Sequence, residues 1–411
     1  MFSLRSLGSL VLLKERRAWA AAISCAVVLT LGTGEVSAAL ADDIIKKAPQ
    51  ETPKVDGLVL SPDDALPRVT ARSAVVMEAK TGRVLYERNM DNRQFPASTT
   101  KIMTLIIALE KGNLDDVVKV GPHAAGTEGS TLWLEEGDEI TLRELLYGMM
   151  LHSGNDATVA VAEHIAGSVD AFARLMTDKA HEIGAKDTNF VNANGLPDDA
   201  HYTTAHDLAL IASYGYTLPE FEEIVSTKEI TFPWVKDETH LLRNENQMLW
   251  LYEGGNGVKT GYTDAAGRCL VSAAKRDGIQ LVAVVLDSNW MWNDSILLLD
   301  YGFSKIDRTT VVKKHAQVGT VAVTGSRVRR LGVQTKDEIV LPVVDGAAGY
   351  EQTIDLPHAV KAPVKKGDAV GTLRISYDGK EVAKTDLVAM QDAEQKSFFL
   401  TVWKNVKSLF F

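Results

Sequence analysis

Cysteine is nearly missing from these 411 residues; only Cys25 and Cys269 are present. No C-x-x-C pair and no Cys/His cluster occurs, so the spacing suggests neither zinc nor an iron–sulfur cluster. A positive excess is missing as well. The formal net charge of −10 argues against a nucleic-acid partner, because phosphate contacts need a basic surface. Internal repeats and low-complexity tracts are not evident. What remains, 45% hydrophobic and 24% charged residues, suits a globular protein with a sizeable core and more than one domain.

The first 41 residues read as a secretory signal. Arg5, Lys14, Arg16 and Arg17 precede the apolar run AWAAAISCAVVLTL, and the small-residue ends VSA and ALA follow. Cleavage is expected after Ala38 or Ala41. The run is too short to span a membrane comfortably. Loss of this leader removes Cys25 and leaves Cys269 unpaired, so no intramolecular disulfide is expected despite export.

Residues 42–70 are charged, proline-rich and aperiodic, and read as an extended arm. From residue 71 the pattern changes. ARSAVVMEA and GRVLYER predict two strands around a Lys80–Arg83 turn. STTKIMTLIIALEK predicts a helix buried on nearly every face and ended at Gly112. TLRELLYGMML and DATVAVAEHIAG predict two helices broken at His152–Asn155, with further helices near 169–184 and 204–215. GVKTGYT, RCLVSAAK and IQLVAVVLD, separated by DAAG and RDG, predict an antiparallel meander, and SILLLDYGF a closing helix near residue 305. Residues 306–390 turn to short β segments. In the tail, 391–411, Phe398, Phe399, Val402, Trp403, Val406, Leu409 and Phe410 fall on one helical face, opposite Lys404 and Lys407. Lacking about twenty consecutive apolar residues, this segment is expected to lie in a membrane interface and not to cross it.

Three short motifs carry the chemistry. In FPASTTKIMT, Ser98 and Lys101 are three residues apart and share a helical face. A serine at the first turn meets outward-pointing backbone N–H groups and the positive end of the helix dipole, which favour an oxyanion. It needs a base, and a lysine can serve if burial and a second cation lower its pKa. Ser153-Gly154-Asn155 sits in the helix break, where a hydroxyl can relay a proton and an amide can bond both a lysine and a carbonyl. Lys259-Thr260-Gly261 lies on an apolar strand. A cation and a hydroxyl there suit a carboxylate, and Gly261 lets a substrate backbone pair as an added strand.

In this order the motifs resemble those of the penicillin-binding, active-site-serine D-alanyl-D-alanine peptidases, in particular the low-molecular-weight carboxypeptidase branch. The likeness extends to ARSAVVMEAKTGRVLYERN, HSGNDA, NANGLPDDAHYTTAHDLALIA, KTGYTDAAGRCLVSAAKRDG and the β-rich region. It implies an α+β fold: a β-lactamase/penicillin-binding transpeptidase-like domain at 71–305, with an antiparallel sheet and helices on both faces, then a small β-rich domain and the amphipathic helix. It implies Ser98 as the acylated nucleophile, Lys101 as its base, Ser153 as proton relay and Asn155 as the group positioning Lys101 and the substrate amide. Lys259 and Thr260 would bind a terminal carboxylate, and the N–H groups of Ser98 and Tyr262 would form the oxyanion hole. The implied substrate is a peptidoglycan stem pentapeptide, cut on the periplasmic face of the cytoplasmic membrane. β-Lactams would act as acylating inhibitors, and no metal or organic cofactor is implied.

Two departures stand out. Tyr262 replaces a histidine found in many relatives, and DSNWMWNDSILLLDYGF lacks the arginine that some relatives use near there. Rival readings are a DD-endopeptidase, a serine β-lactamase (for which no Glu-x-x-x-Asn counterpart is found) and a catalytically inactive wall-binding protein. A zinc peptidase built on His201, His206 and Asp207 is disfavoured, because His-x-x-x-x-His does not place both rings on one helical face.

Overall fold

A computed structural model describes residues 66–236, 238–344 and 349–396. The leader, most of the arm and residues 397–411 of the amphipathic segment lie outside the described residues.

Strands β1 (Ser73–Glu78) and β2 (Arg83–Arg88) form the expected hairpin. Glu78 closes its turn, accepting from the N–H groups of Lys80 and Thr81 and from the Thr81 hydroxyl. The meander is β3 (Gly255–Thr263), β4 (Gly267–Arg276) and β5 (Ile279–Leu286). Asp277 and Gly278, both at positive φ (51° and 81°), make the two-residue turn between β4 and β5. The sheet order is β2-β1-β5-β4-β3, antiparallel throughout, with β3 on the edge.

Alternation decides the two faces of this sheet. Val75, Met77, Val271, Ala273, Val282 and Val284 face the main helical layer. Ala74, Val76, Leu270, Ala274, Leu281 and Val285 face the opposite side, where Leu298 and Leu299 of the closing helix cover them. Both faces are buried, which is why Ala74–Met77 of β1 and Leu281–Leu286 of β5 are apolar without alternation.

The main layer surrounds α1 (Lys101–Lys111), whose first eight residues are all buried. Around it lie α2 (Leu142–Leu151), α3 (Asn155–Ala166), α4 (Val169–Ile183), α5 (Ala205–Gly215) and α6 (Pro219–Ser226). Thr141 and Glu144 form a capping box at the start of α2, and Ser168 and Thr204 cap α4 and α5. Gly112 ends α1 as expected, but for want of space: a Cβ there would meet Leu142 Cδ2 at 2.4 Å. The closing helix is α7 (Met291–Ser304), whose Asp294 accepts from the backbone N–H groups of Thr70 and Ala71 and from the Thr70 hydroxyl. The last residues of the stretch read as an arm are thus fixed to the domain.

The β-rich region pairs β6 (Ile306–Val312) with β9 (Ile339–Val344). A six-stranded sheet joins β7 (Gln317–Thr324), β8 (Arg330–Thr335), β10 (Tyr350–Asp355), β11 (Ala359–Lys361), β12 (Ala369–Tyr377) and β13 (Lys380–Ala389) in the order β10-β12-β13-β8-β7-β11. Its core is separate, built on Val321, Leu331, Val333, Leu341, Leu373, Ile375 and Leu387. One boundary needs correction. The helix expected over 391–411 does not begin at 391, because 391–396 is extended, with Ala393 bridged to Val364 and Gln395 to Ser326. Among the described residues no helix is long and apolar enough to cross a membrane.

Phe172 of α4 is fully buried in the helical layer. Phe172→Ala is expected to lower stability by about 3–5 kcal/mol, measured by urea unfolding of the two proteins.

Candidate active site

The sequence suggests a helix starting at Ser98. The chain instead makes a 3₁₀ turn over Ala97–Thr100 that runs directly into α1. Thr99 fastens the turn, its hydroxyl and N–H both donating to the Pro96 carbonyl. Ala97 sits at φ +48°, a conformation a non-glycine residue holds only when its surroundings impose it. Two glycines leave it room. A Cβ on Gly195 would lie 1.8 Å from the Ala97 carbonyl oxygen, and a Cβ on Gly261 would lie 3.0 Å from the Ser98 nitrogen. The turn is therefore held between the Asn192–Gly195 loop and the edge strand β3.

One turn on, the Lys101 side chain is fully buried. Its Nζ lies 3.0 Å from Ser98 Oγ, 2.7 Å from Asn155 Oδ1 and 3.0 Å from the Asn194 carbonyl oxygen. Two of these three neighbours can only accept. A neutral amine has two hydrogens and one lone pair, so it can give both hydrogens to Asn155 and Asn194 and turn its lone pair to the Ser98 hydroxyl. Burial pushes the Lys101 pKa well below the ordinary lysine value; the Lys259 charge lowers it further, while Glu245 and Asp156 oppose.

Ser153 stands between α2 and α3 at φ +65°, almost wholly buried, and its hydroxyl has no hydrogen-bond partner among the described residues. Asn155 opens α3. Its Oδ1 takes the lysine, and its Nδ2 donates to the Glu128 carbonyl at 2.7 Å, so one N–H of the amide is already committed to the protein. Asp156 then gathers the loop beside the site, accepting from the N–H groups of Leu132 and Leu134 and from the Thr131 hydroxyl.

On β3, Lys259 is almost completely buried and Thr260 follows it. Sequence reasoning missed their neighbour, Glu245. Its Oε2 accepts from Thr260 Oγ1 at 3.1 Å and lies 3.8 Å from Lys259 Nζ. The Tyr262 hydroxyl donates to Asp264 at 2.9 Å, which turns the ring toward the β3–β4 turn. The structure thus groups Ser98, Lys101, Asn155, Lys259, Thr260 and Gly261, and adds Asn194, Asp156 and Glu245. A backbone carbonyl such as that of Asn194 has no sequence signature. Glu245 meets β3 through tertiary contact, with no motif spacing to announce it.

His201, His206 and Asp207 do different work. His201 is buried, its pKa pushed down to about 4, and its Nε2 pairs with Thr100 Oγ1 behind the serine turn. Asp207 accepts from the Asp187 N–H and the Thr188 hydroxyl, and His206 faces Asp91. Cys269 lies in the core, where burial pushes its thiol up to about 12.

A family model described as D-alanyl-D-alanine carboxypeptidase matches residues 61–289, more than half of the chain. The chain belongs to this family. A second model, for the C-terminal domain of penicillin-binding protein 5, matches residues 307–395. D-alanyl-D-alanine carboxypeptidase DacF of Bacillus subtilis is 35% identical over 338 residues, 80% of this chain and 87% of the relative. DacA of Escherichia coli is 30% identical over 406 residues, 94% of this chain and 96% of the relative. Among solved structures, penicillin-binding protein 5 of Haemophilus influenzae superposes with a TM-score of 0.59 at 29% identity, over 81% of this chain and all of that one. DacD of Francisella tularensis gives 0.58 at 32% identity, over 83% and 97% of the two chains. The chain is a serine-type hydrolase with the penicillin-binding fold that its motifs suggested.

A base that must be neutral gives a rate that rises with pH through its pKa. With Lys101 as the expected base, acylation at Ser98 should therefore reach its plateau far below the ordinary lysine pKa of about 10.4. In Lys259→Ala, loss of the neighbouring cation should move the half-point to higher pH, read from rate constants of acylation across the pH range.

Proposed function

We propose that the enzyme removes the terminal D-Ala from peptidoglycan stem pentapeptides through an acyl-enzyme on Ser98. The observation that carries this reading is the Lys101 amine, shielded from water, 3.0 Å from the serine hydroxyl and held there by two acceptors. Lys101 takes the Ser98 proton as Oγ bonds to the carbonyl carbon of the penultimate D-Ala. The N–H groups of Ser98 and Tyr262 receive the oxyanion; one such donor contributes on the order of 10²–10³ in rate. The close approach of Gly261 to the Ser98 nitrogen supports that pairing. Collapse breaks the C–N bond, and Ser153 passes the proton to the departing amine. Water, giving a proton to Lys101, then attacks the ester carbonyl; the C–Oγ bond breaks, Lys101 returns the proton to Ser98 Oγ, and a tetrapeptide stem leaves. Asn155 orients Lys101, and its remaining N–H holds the substrate amide. Lys259 and Thr260 take the terminal carboxylate, and Gly261 admits the peptide backbone alongside β3.

The reading extends to location. The enzyme is exported by the leader at 1–41 and held at the periplasmic face of the cytoplasmic membrane by the amphipathic tail, whose aromatic and lysine faces support an interfacial helix. β-Lactams acylate the same serine.

Ser98→Ala should abolish both D-Ala release and covalent labelling by a fluorescent penicillin; a retained label would refute the assignment. Deleting 397–411 should move the protein from the membrane fraction to the soluble fraction with penicillin labelling intact.

A further inference from the structure

The proposed carboxylate subsite already holds a carboxylate, and it belongs to the protein. Glu245 Oε2 accepts the Thr260 hydroxyl hydrogen at 3.1 Å and stands 3.8 Å from the buried Lys259 ammonium. These are the two groups to which the reading above assigns the substrate's terminal acid. We infer that Glu245 is an in-chain occupant of this subsite, displaced whenever an acid binds, so that it sets how strongly the enzyme selects for a free terminal carboxylate. This inference rests on the proposed function.

The local structure suits a movable side chain on a fixed backbone. The Glu245 N–H donates to the Leu151 carbonyl at 3.0 Å, at the end of α2. Asn244 and Asn246 on either side are buried; Asn244 donates to the Thr227 carbonyl, and Asn246 accepts from the Met248 N–H. Only the Glu245 side chain, 30% exposed, has somewhere to go. Two carboxylates crowded on one lysine repel each other, and Thr260 has a single hydrogen to give. A bound acid must therefore replace Glu245 on Thr260, and the contact that is broken weakens every complex made through this subsite. In the free enzyme the same carboxylate gives the buried Lys259 ammonium an opposite charge nearby and gives the Thr260 hydroxyl an acceptor.

Glu245 also bears on Lys101, whose pKa it raises. That effect acts on any acylating agent below the pH plateau, whereas competition for the subsite acts only on acids, at every pH. The two separate on the plateau, where Lys101 is already neutral.

The test is the second-order rate constant for acylation by benzylpenicillin and by its methyl ester, measured on the plateau by mass spectrometry of intact wild type, Glu245→Gln and Glu245→Ala. With the backbone held by its own hydrogen bonds, both variants should fold, which thermal melting checks. The inference expects the ratio of the free-acid to the ester rate constant to rise on the order of 10-fold in both variants relative to wild type, with the free acid faster in absolute terms. An equal gain for acid and ester, meaning a cleft merely opened, would overturn it. So would an unchanged or slower reaction of the acid, meaning that Glu245 only orients Thr260. Wild type that forms no adduct at Ser98 with either compound would instead overturn the proposed function itself.

Discussion

The site depends on one amine kept dry. Lys101 lies in the first turn of a helix buried on all sides, and its desolvation is what makes an ordinary lysine able to accept a proton. The neighbouring Lys259 adds to this by raising the local potential, while Glu245 and Asp156 limit it. In the proposed role of base, an amine poised in this way needs no histidine partner. Its orientation comes from two neutral acceptors, Asn155 Oδ1 and the Asn194 carbonyl, which leave the lone pair one direction to point.

Those acceptors come from distant parts of the chain, and the fold exists at this point to bring them together. The helix α1 supplies the lysine, the α2–α3 break supplies Ser153 and Asn155, the loop before Gly195 supplies a carbonyl, and the edge strand β3 supplies Lys259 and Thr260. Because β3 is the last strand of its sheet, it has no strand partner on its outer side, where the proposed peptide would pair. The five-stranded sheet and its two apolar faces give this arrangement rigidity, while the β-rich region has its own core.

Much of this was readable from residue order. The hairpin, the meander and the paired helices follow from alternation, from the Asp-Gly turn and from the break at His152–Asn155. Ser98 and Lys101 were legible because helical spacing places them on one face. What stayed hidden is tertiary. The 3₁₀ start is imposed by Gly195 and Gly261, which arrive from elsewhere in the chain. The partners contributed by Asn194 and Glu128 are backbone carbonyls, identical in every residue type. Strand β10 leaves no signal in the sequence, because five of its six residues are exposed and no apolar alternation marks it. Strand β8, RLGVQT, carries a glycine and too few apolar residues to stand out from its surroundings. Helix α6 gave only LPEFEEIV, short and highly charged.

Gly195 and Gly261 both press on the serine turn: a methyl group on Gly195 would strike the Ala97 carbonyl, and one on Gly261 would sit tightly against the Ser98 nitrogen. Backbone cannot yield as a rotamer can, so Gly195 cannot drift by small steps toward a larger residue, and Gly261 can do so only by shifting the turn. Resistance to a drug that acylates the proposed nucleophile therefore has little room to arise by reshaping its immediate cradle, and is steered outward to side chains farther from the turn.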